Sequence, residues 1–314
     1  MSPSPVIVDT DGGVDDCTAL WYAATEAALD LVAVTTVRGV VDADQAAANA
    51  AKVMHAAGRS DVPIATGANV ALGPVPAIAT TERIHGVDGL GDCGIPDAPF
   101  GPGREPADEI ICRLARERPG ELTLVAVGPF TNVARALRRD PELPSLLRGL
   151  VVMGGVAHPP GNALPWAEYN MAFDPTASSE MVQGPWPRPP LMVGLDVTHR
   201  ATLGDDEFAL LAEERTPAAR FMHCPLEFYR RFERQAVPER DCPLHDLLAV
   251  MTVVDSGLVR APVLPLAVDT GGGAAWGASV VDLRAGANDG TARWRIALDV
   301  DVEGFRQRAR QFLG

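Results

Sequence analysis

The stretch Val6-Ile7-Val8-Asp9-Thr10-Asp11-Gly12-Gly13-Val14-Asp15-Asp16 joins a short β-branched run to a turn that carries four carboxylates. An apolar run this short reads as a parallel strand buried on both faces. Similar runs recur at residues 31–37, 122–127, 150–153 and 191–195, with helical patterns between them. Asp42 followed by Gln45 resembles a capping box, after which Ala46, Ala50, Val53, Met54 and Ala57 share one apolar face until Gly58. A second helix is expected over residues 107–118, stopped by Pro119-Gly120. Strands alternating with helices imply βαβ units and a mainly parallel sheet. The polar clusters fall just past strand ends: Asp9-Thr10-Asp11, Gly128-Pro129, Gly154-Gly155 and Asp196-Val197-Thr198-His199. In open parallel sheets that edge is where ligands bind, so separate segments converge on one crevice.

The chain of 314 residues carries 27 basic against 41 acidic side chains, a formal charge of −14. That balance argues against nucleic acid as a partner, which would need clustered Lys and Arg. No apolar run reaches the length needed to span a bilayer, and Met1-Ser2-Pro3-Ser4-Pro5 has neither a basic nor an apolar leader region. Five widely spaced cysteines without a CxxC pair lead us to expect no disulfide framework, no zinc site and a reducing cytoplasm. No internal repeat or Ser/Gly linker interrupts the chain, and the Pro-rich stretch 185–190 reads as a loop before a strand. Residues 1–314 are therefore read as one domain.

Four neighbouring carboxylates repel one another unless a cation neutralises them, and hard oxygen ligands suit Ca²⁺ or Mg²⁺ rather than zinc. Gly12-Gly13 lets the backbone turn tightly enough for them to converge. The plainer alternative is a solvated acidic turn with Asp16 at a helix N-terminus. Farther along, Leu244-His245-Asp246 opens an apolar helix, and Asn162, Glu168, Asn170 and Asp174 form a polar group suited to a polyhydroxylated ligand. Each of these also has a bland reading, as a capped turn and a polar loop.

Together these segments resemble the inosine–uridine-preferring nucleoside hydrolase family. The resemblance runs through Asp9-Thr10-Asp11-x-Gly13-x-Asp15-Asp16, His85-Gly86-x-Asp88-Gly89-Leu90-Gly91-Asp92, Gly128-Pro129-Phe130-Thr131-Asn132 and Met153-Gly154-Gly155. It continues through Gly161-Asn162, Ala167-Glu168-Tyr169-Asn170, Gly194 to His199, and Leu244-His245-Asp246. It implies an open, mainly parallel, Rossmann-like α/β sheet flanked by helices, with the active site at the carboxyl ends of the strands. It implies a Ca²⁺ held by Asp11, Asp16, Asp246 and the Val127 carbonyl, with Asp9 in support. Asp11 would take a proton from the attacking water. Asp15 and Asn170 would hold the 2′- and 3′-hydroxyls of a ribonucleoside, Asn162 and Glu168 those toward the 5′ end, and Met153 would line the same pocket. His245 would protonate the leaving base and His85 would face it. Further base contacts are expected from the loop around His85 and from residues 221–240, where Phe228, Tyr229 and Phe232 could stack on the base or equally form a helix packing face. A homodimer or homotetramer is implied as well.

One residue departs from the family pattern. After Thr35-Thr36-Val37-Arg38-Gly39 the family usually carries Asn, and this chain carries Val40. Two other classes share parts of the pattern. A haloacid dehalogenase-type Mg²⁺ phosphatase also opens with an acidic turn, but normally recruits a lysine near a later strand end. Here Lys52, the sole lysine, falls in an expected helix. A non-catalytic, calcium-held nucleoside- or sugar-binding protein would need neither the Asp11 base nor the His245 acid.

Overall fold

The computed structural model describes residues 2–236, 241–284 and 292–314. Its first strand, β1 (Ser4–Thr10), lies between parallel neighbours β2 (Leu29–Thr36) and β4 (Thr123–Ala126). Beyond β2 lies β3 (Ile64–Thr66), and beyond β4 lie β5 (Gly149–Met153) and β6 (Leu191–Val193), all parallel. The strand Arg293–Ile296 continues the sheet parallel to β6. Val263–Val268 and Ser279–Val281 then complete it antiparallel. Among the described residues the sheet has nine strands.

The alternation within β1 explains why helices cover both faces. Val6 and Val8 pack with helix α1 (Val14–Thr25), helix α2 (Ala43–Ala56) and the helix His245–Val254. Ile7 points the other way, toward the helices Ala107–Glu117 and Thr131–Arg139. All three side chains are completely buried, as a strand covered on both faces requires. Asp42 caps α2 by accepting the Gln45 N–H at 2.8 Å, and Gly58 follows the helix with a positive φ of 73°. The chain builds outward from β1 through β2 and β3, then returns to add β4, β5 and β6 on the other side. This reversal makes the carboxyl end of β1 the switch point where a ligand crevice opens.

Three sequence expectations need correction. The run 191–195 is strand only to Val193, because Leu195–Thr198 turns into a short helix whose first N–H reaches the Gly155 carbonyl at 2.9 Å. The short β3 and the three strands that extend this sheet after residue 260 were not anticipated. The expectation of no disulfide also fails: Cys93 and Cys224 are bonded, 131 residues apart in sequence, with Cα atoms 6.0 Å apart. Cysteine spacing cannot reveal a pair that only tertiary packing brings together. Cys17, Cys112 and Cys242 remain buried free thiols. No described helix is long and apolar enough to cross a membrane.

Candidate active site

The turn after β1 draws its carboxylates inward. Gly12 has φ 76°, and a Cβ there would sit 2.6 Å from the Ala46 Cα, so only glycine lets the turn press against α2. Asp16 lies in the first turn of α1, where the helix dipole favours an anion. Its Oδ1 accepts from the Thr10 hydroxyl at 2.6 Å and the Asp11 N–H at 3.1 Å, and its Oδ2 from the Gly13 N–H at 3.1 Å. Asp11 points across to β2's end, where its Oδ2 accepts the Val40 N–H at 2.8 Å. Asp9 sits beneath, with Oδ1 taking bonds from Thr35 Oγ1 at 2.6 Å and Asn132 Nδ2 at 2.8 Å. Its Oδ2 is buried with no partner.

Asp246, at the start of the helix His245–Val254, meets this turn from the opposite side. Asp15, Asp16 and Asp246 each offer a carboxylate oxygen, and the three atoms lie within 4.8 Å of one another, all buried. Burial, then the Asp16 charge, pushes Asp15 up to about 8 and holds Asp11 well above the usual carboxylate range. Burial, then the Asp15 charge, raises Asp246 in the same way. Burial also lifts Asp9 to about 7. No Lys or Arg lines the cavity among the described residues, so no side-chain cation offsets these charges. A buried all-oxygen donor set lacking a basic partner fits a hard divalent cation.

The carboxylates form the floor of a cavity of about 350 Å³. One wall is the helix Tyr169–Phe173, capped by Glu168. The Glu168 carboxylate accepts from the Asn170 N–H at 2.8 Å, the Gly155 N–H at 2.9 Å and the Met171 N–H at 3.1 Å. Burial pushes it up to about 7. It thereby straps the loop after β5 to the helix bearing Asn170. Asn170 Nδ2 donates to the Val127 carbonyl at 2.7 Å and the Met153 carbonyl at 3.2 Å. Asn162 Oδ1 accepts the Tyr169 N–H at 2.9 Å.

Beside the carboxylates the cavity wall is aromatic and imidazole-rich, and His85 Nδ1 lies 3.9 Å from Asp15 Oδ1. His85 accepts the Val14 N–H on Nδ1 at 3.2 Å, so the neutral ring carries its proton on Nε2. Burial lowers its pKa to about 4. Its ring lies 5.2 Å from that of Tyr229 on the long helix Pro217–Ala236. His245 has Nδ1 2.7 Å from Thr198 Oγ1, and its ring stands edge-on to His199 at 5.5 Å.

Asp11, Asp15, Asp16, His85, Val127 and Met153 all line this one cavity, and so do Asn162, Glu168, Asn170, His245 and Asp246. Asp9 lies just outside it. The close carboxylate trio shares Asp16 and Asp246 with the expected ligand set and adds Asp15, while Asp11 neighbours Asp16. Of the aromatic residues considered for base stacking, Tyr229 and Phe232 face the cavity, whereas Phe228 packs under Gly91. Residues 237–240 of the same expected region lie outside the described residues. Sequence reasoning missed Tyr169 and Glu233 as cavity-lining groups, and gave His199 no role. It also missed the Thr198–His245 bond, although His199 and Thr198 stand in a quoted motif. Lys52 pairs with Asp97 at 3.3 Å and does not line the cavity, which removes the phosphatase reading's lysine.

Comparison with known proteins decides the family. The model of the inosine-uridine preferring nucleoside hydrolases matches residues 6–307. The chain belongs to this family. A non-specific ribonucleoside hydrolase, RihC of Escherichia coli strain SMS-3-5, is 35% identical over 98% of both chains. The pyrimidine-specific ribonucleoside hydrolase RihA of Shewanella woodyi is 34% identical over 96% of this chain and 95% of its own. Among solved structures, the plant nucleoside hydrolase PpNRh1 superposes with a TM-score of 0.92 at 28% identity over 99% of both chains. A purine-preferring ribonucleoside hydrolase from Gardnerella vaginalis gives 0.91 at 30% identity over 98% of both. The chain is a ribonucleoside hydrolase, and the α/β fold with its large, mainly parallel sheet is the one its structural neighbours share.

Proposed function

We propose that this nucleoside hydrolase uses calcium, with Asp11 as base and His245 as leaving-group acid, to cleave ribonucleosides into ribose and free nucleobase. The observation that carries this reading is the buried Asp15–Asp16–Asp246 trio in a cavity that also presents His245, His85 and Tyr229. The carboxylates suit a cation and vicinal hydroxyls, and the aromatic and imidazole side chains suit a flat heteroaromatic base. Asp16, Asp246, Asp11 and the Val127 carbonyl would hold the cation, with Asp9 beneath and Asp15 close enough to join or to bind hydroxyl. When bound, the cation supplies a Lewis-acid centre that lowers the pKa of water and orients the ribose hydroxyls.

The chain's own residues account for the remaining steps. Water oxygen bonds to C1′ while the C1′–N bond breaks, the water proton passes to Asp11, and the departing nitrogen takes a proton from His245. Thr198 fixes the His245 ring so that Nε2 faces the base. The buried carboxylates stabilise the ribosyl cation that develops between these events. Asp15 and the Asn170 amide oxygen serve the 2′- and 3′-hydroxyls, and Asn162 Nδ2 with Glu168 those toward the 5′ end. His85, neutral above about pH 4, offers Nε2–H to the nucleobase. The whole chain acts as one catalytic domain, since segments from Asp11 to Asp246 line one cavity. Family resemblance supports a homodimer or homotetramer; a cytoplasmic setting belongs to the same reading, but the Cys93–Cys224 bond removes the cysteine argument for it. Measuring free ribose after incubation with inosine, guanosine, uridine and cytidine tests the reading; a protein that binds nucleosides without releasing ribose would overturn it in favour of a binding role.

A further inference from the structure

The Cys93–Cys224 bond joins the two elements that form the nucleobase end of the cavity. Cys93 ends the loop that begins at His85. That loop is tied to the acidic turn by Asn49, whose Nδ2 donates to the Asp88 carbonyl at 2.7 Å and the Gly12 carbonyl at 2.9 Å. Cys224 lies in the helix Pro217–Ala236, immediately before Pro225. Proline has no N–H, so the helix lacks a backbone bond at that point and is weakest there.

The two halves of this helix are held differently. Before the proline, Phe221 packs on Trp21 with ring centroids 5.1 Å apart, and the Thr18 hydroxyl lies 3.4 Å from Met222 Sδ, which fixes that half to α1. After it come Tyr229 and Phe232, which line the cavity. This half meets the His85 loop through Phe228 against Gly91 and through Tyr229 against His85. On its outer side, Arg230 and Arg234 reach Asp205. These contacts of the second half are all non-covalent, and the disulfide is set at its root.

We propose that Cys93 and Cys224 are positioning residues for the nucleobase half of the site: their bond holds the wall bearing Tyr229 and Phe232 against His85. The proposal rests on the assignment of that end of the cavity to the base. A dithiol reductant reverses the effect by donating two electrons and two protons, leaving two cysteine thiols and its own disulfide. In a reducing compartment such a bond is a sensing element rather than a permanent brace. The ribose half is held by bonds of its own, Asp16 to Thr10, Asp11 to Val40 and Asn170 to Val127, so it should keep its geometry when the disulfide opens.

The test uses the whole enzyme before and after dithiothreitol, beside the C93S/C224S double variant. Thiol titration of the denatured protein should count three thiols before reduction and five after, since Cys17, Cys112 and Cys242 are free. Freeing one or two side chains of the wall to move should raise KM for inosine about two- to tenfold, with kcat changed less than about twofold. Inhibition by free ribose, which reaches only the sugar half, should be unchanged. The double variant should match the reduced enzyme and ignore dithiothreitol. Five thiols before reduction, or an unchanged KM once five are counted, overturns the proposal. So does a matched rise in KM and in the ribose inhibition constant, because that reports general loosening. Failure of ribose to compete with inosine in the oxidised enzyme would instead strike the assignment of the two halves.

Discussion

Replacing Val40 with asparagine should make this enzyme faster. Val40 is half-buried in the cavity wall, and its two hydrogen bonds are both made by backbone: its N–H to Asp11 Oδ2 at 2.8 Å and its carbonyl from Thr81 Oγ1 at 3.3 Å. Both survive the substitution, so the orientation of Asp11 is preserved and only the side-chain chemistry changes. Full burial of a valine stabilises by about 1.5–3 kcal/mol, and a half-buried one forfeits about 1 kcal/mol on becoming polar. Against this, an amide facing the sugar can bond the polarising ribose, and bonds to charged groups contribute about 1.5–3 kcal/mol. At about 1.4 kcal/mol per factor of ten, kcat/KM should rise by about one to two orders of magnitude on at least one common ribonucleoside. Steady-state kinetics on inosine, guanosine, uridine and cytidine, for both proteins, provides the measure. If Val40→Asn is unchanged or slower on every substrate, valine is fitted to its substrate and the reasoning is wrong.

Two further substitutions probe other groups that line the cavity. His245→Ala should slow natural nucleosides by about a hundredfold to ten-thousandfold, and p-nitrophenyl riboside far less, because that leaving group departs unprotonated. An equal loss on both would assign His245 to binding or folding. Glu168→Gln puts an NH₂ where a carboxylate oxygen accepts backbone N–H groups, and should cost about 1–3 kcal/mol in urea unfolding. Burial raises the folded pKa of Glu168 to about 7, above its ordinary value of 4.5, so the native state binds the extra proton between those values. Its contribution to stability is therefore full below pH 4.5 and lost as pH rises toward 7, and the deficit of the Gln variant should narrow over that window. A deficit that widens would mean the carboxylate is ionised in the fold.

The parallel sheet was legible because its central strands are apolar on both faces, as Val6, Ile7 and Val8 illustrate. The short β3 and the strands after residue 260 were not, since Ile64–Thr66 is too brief and Val263–Val268 pairs antiparallel at the sheet's far side. The site was legible where several carboxylates or a His-Asp pair sit together in sequence, as in residues 9–16 and at His245-Asp246. It was not legible where a residue matters through a distant partner. Thr198 orients His245 from another element, and Asn132 reaches back 123 residues to Asp9. Glu233 reaches the cavity from a helix whose amphipathic pattern equally describes packing. The disulfide forms beside the place where Gly91 packs against Phe228, a contact that spacing does not encode.

The most direct measurement is calcium-dependent release of ribose. Protein stripped with a chelator should release no ribose from inosine or uridine, and titration with Ca²⁺ should restore turnover in step with calorimetric binding of one cation. In the same experiment Asp11→Ala should bind Ca²⁺ more weakly and remain inactive at saturation. Undiminished ribose release from metal-free protein would contradict the account, because the buried Asp15–Asp16–Asp246 trio would then serve the reaction without the cation its charges call for.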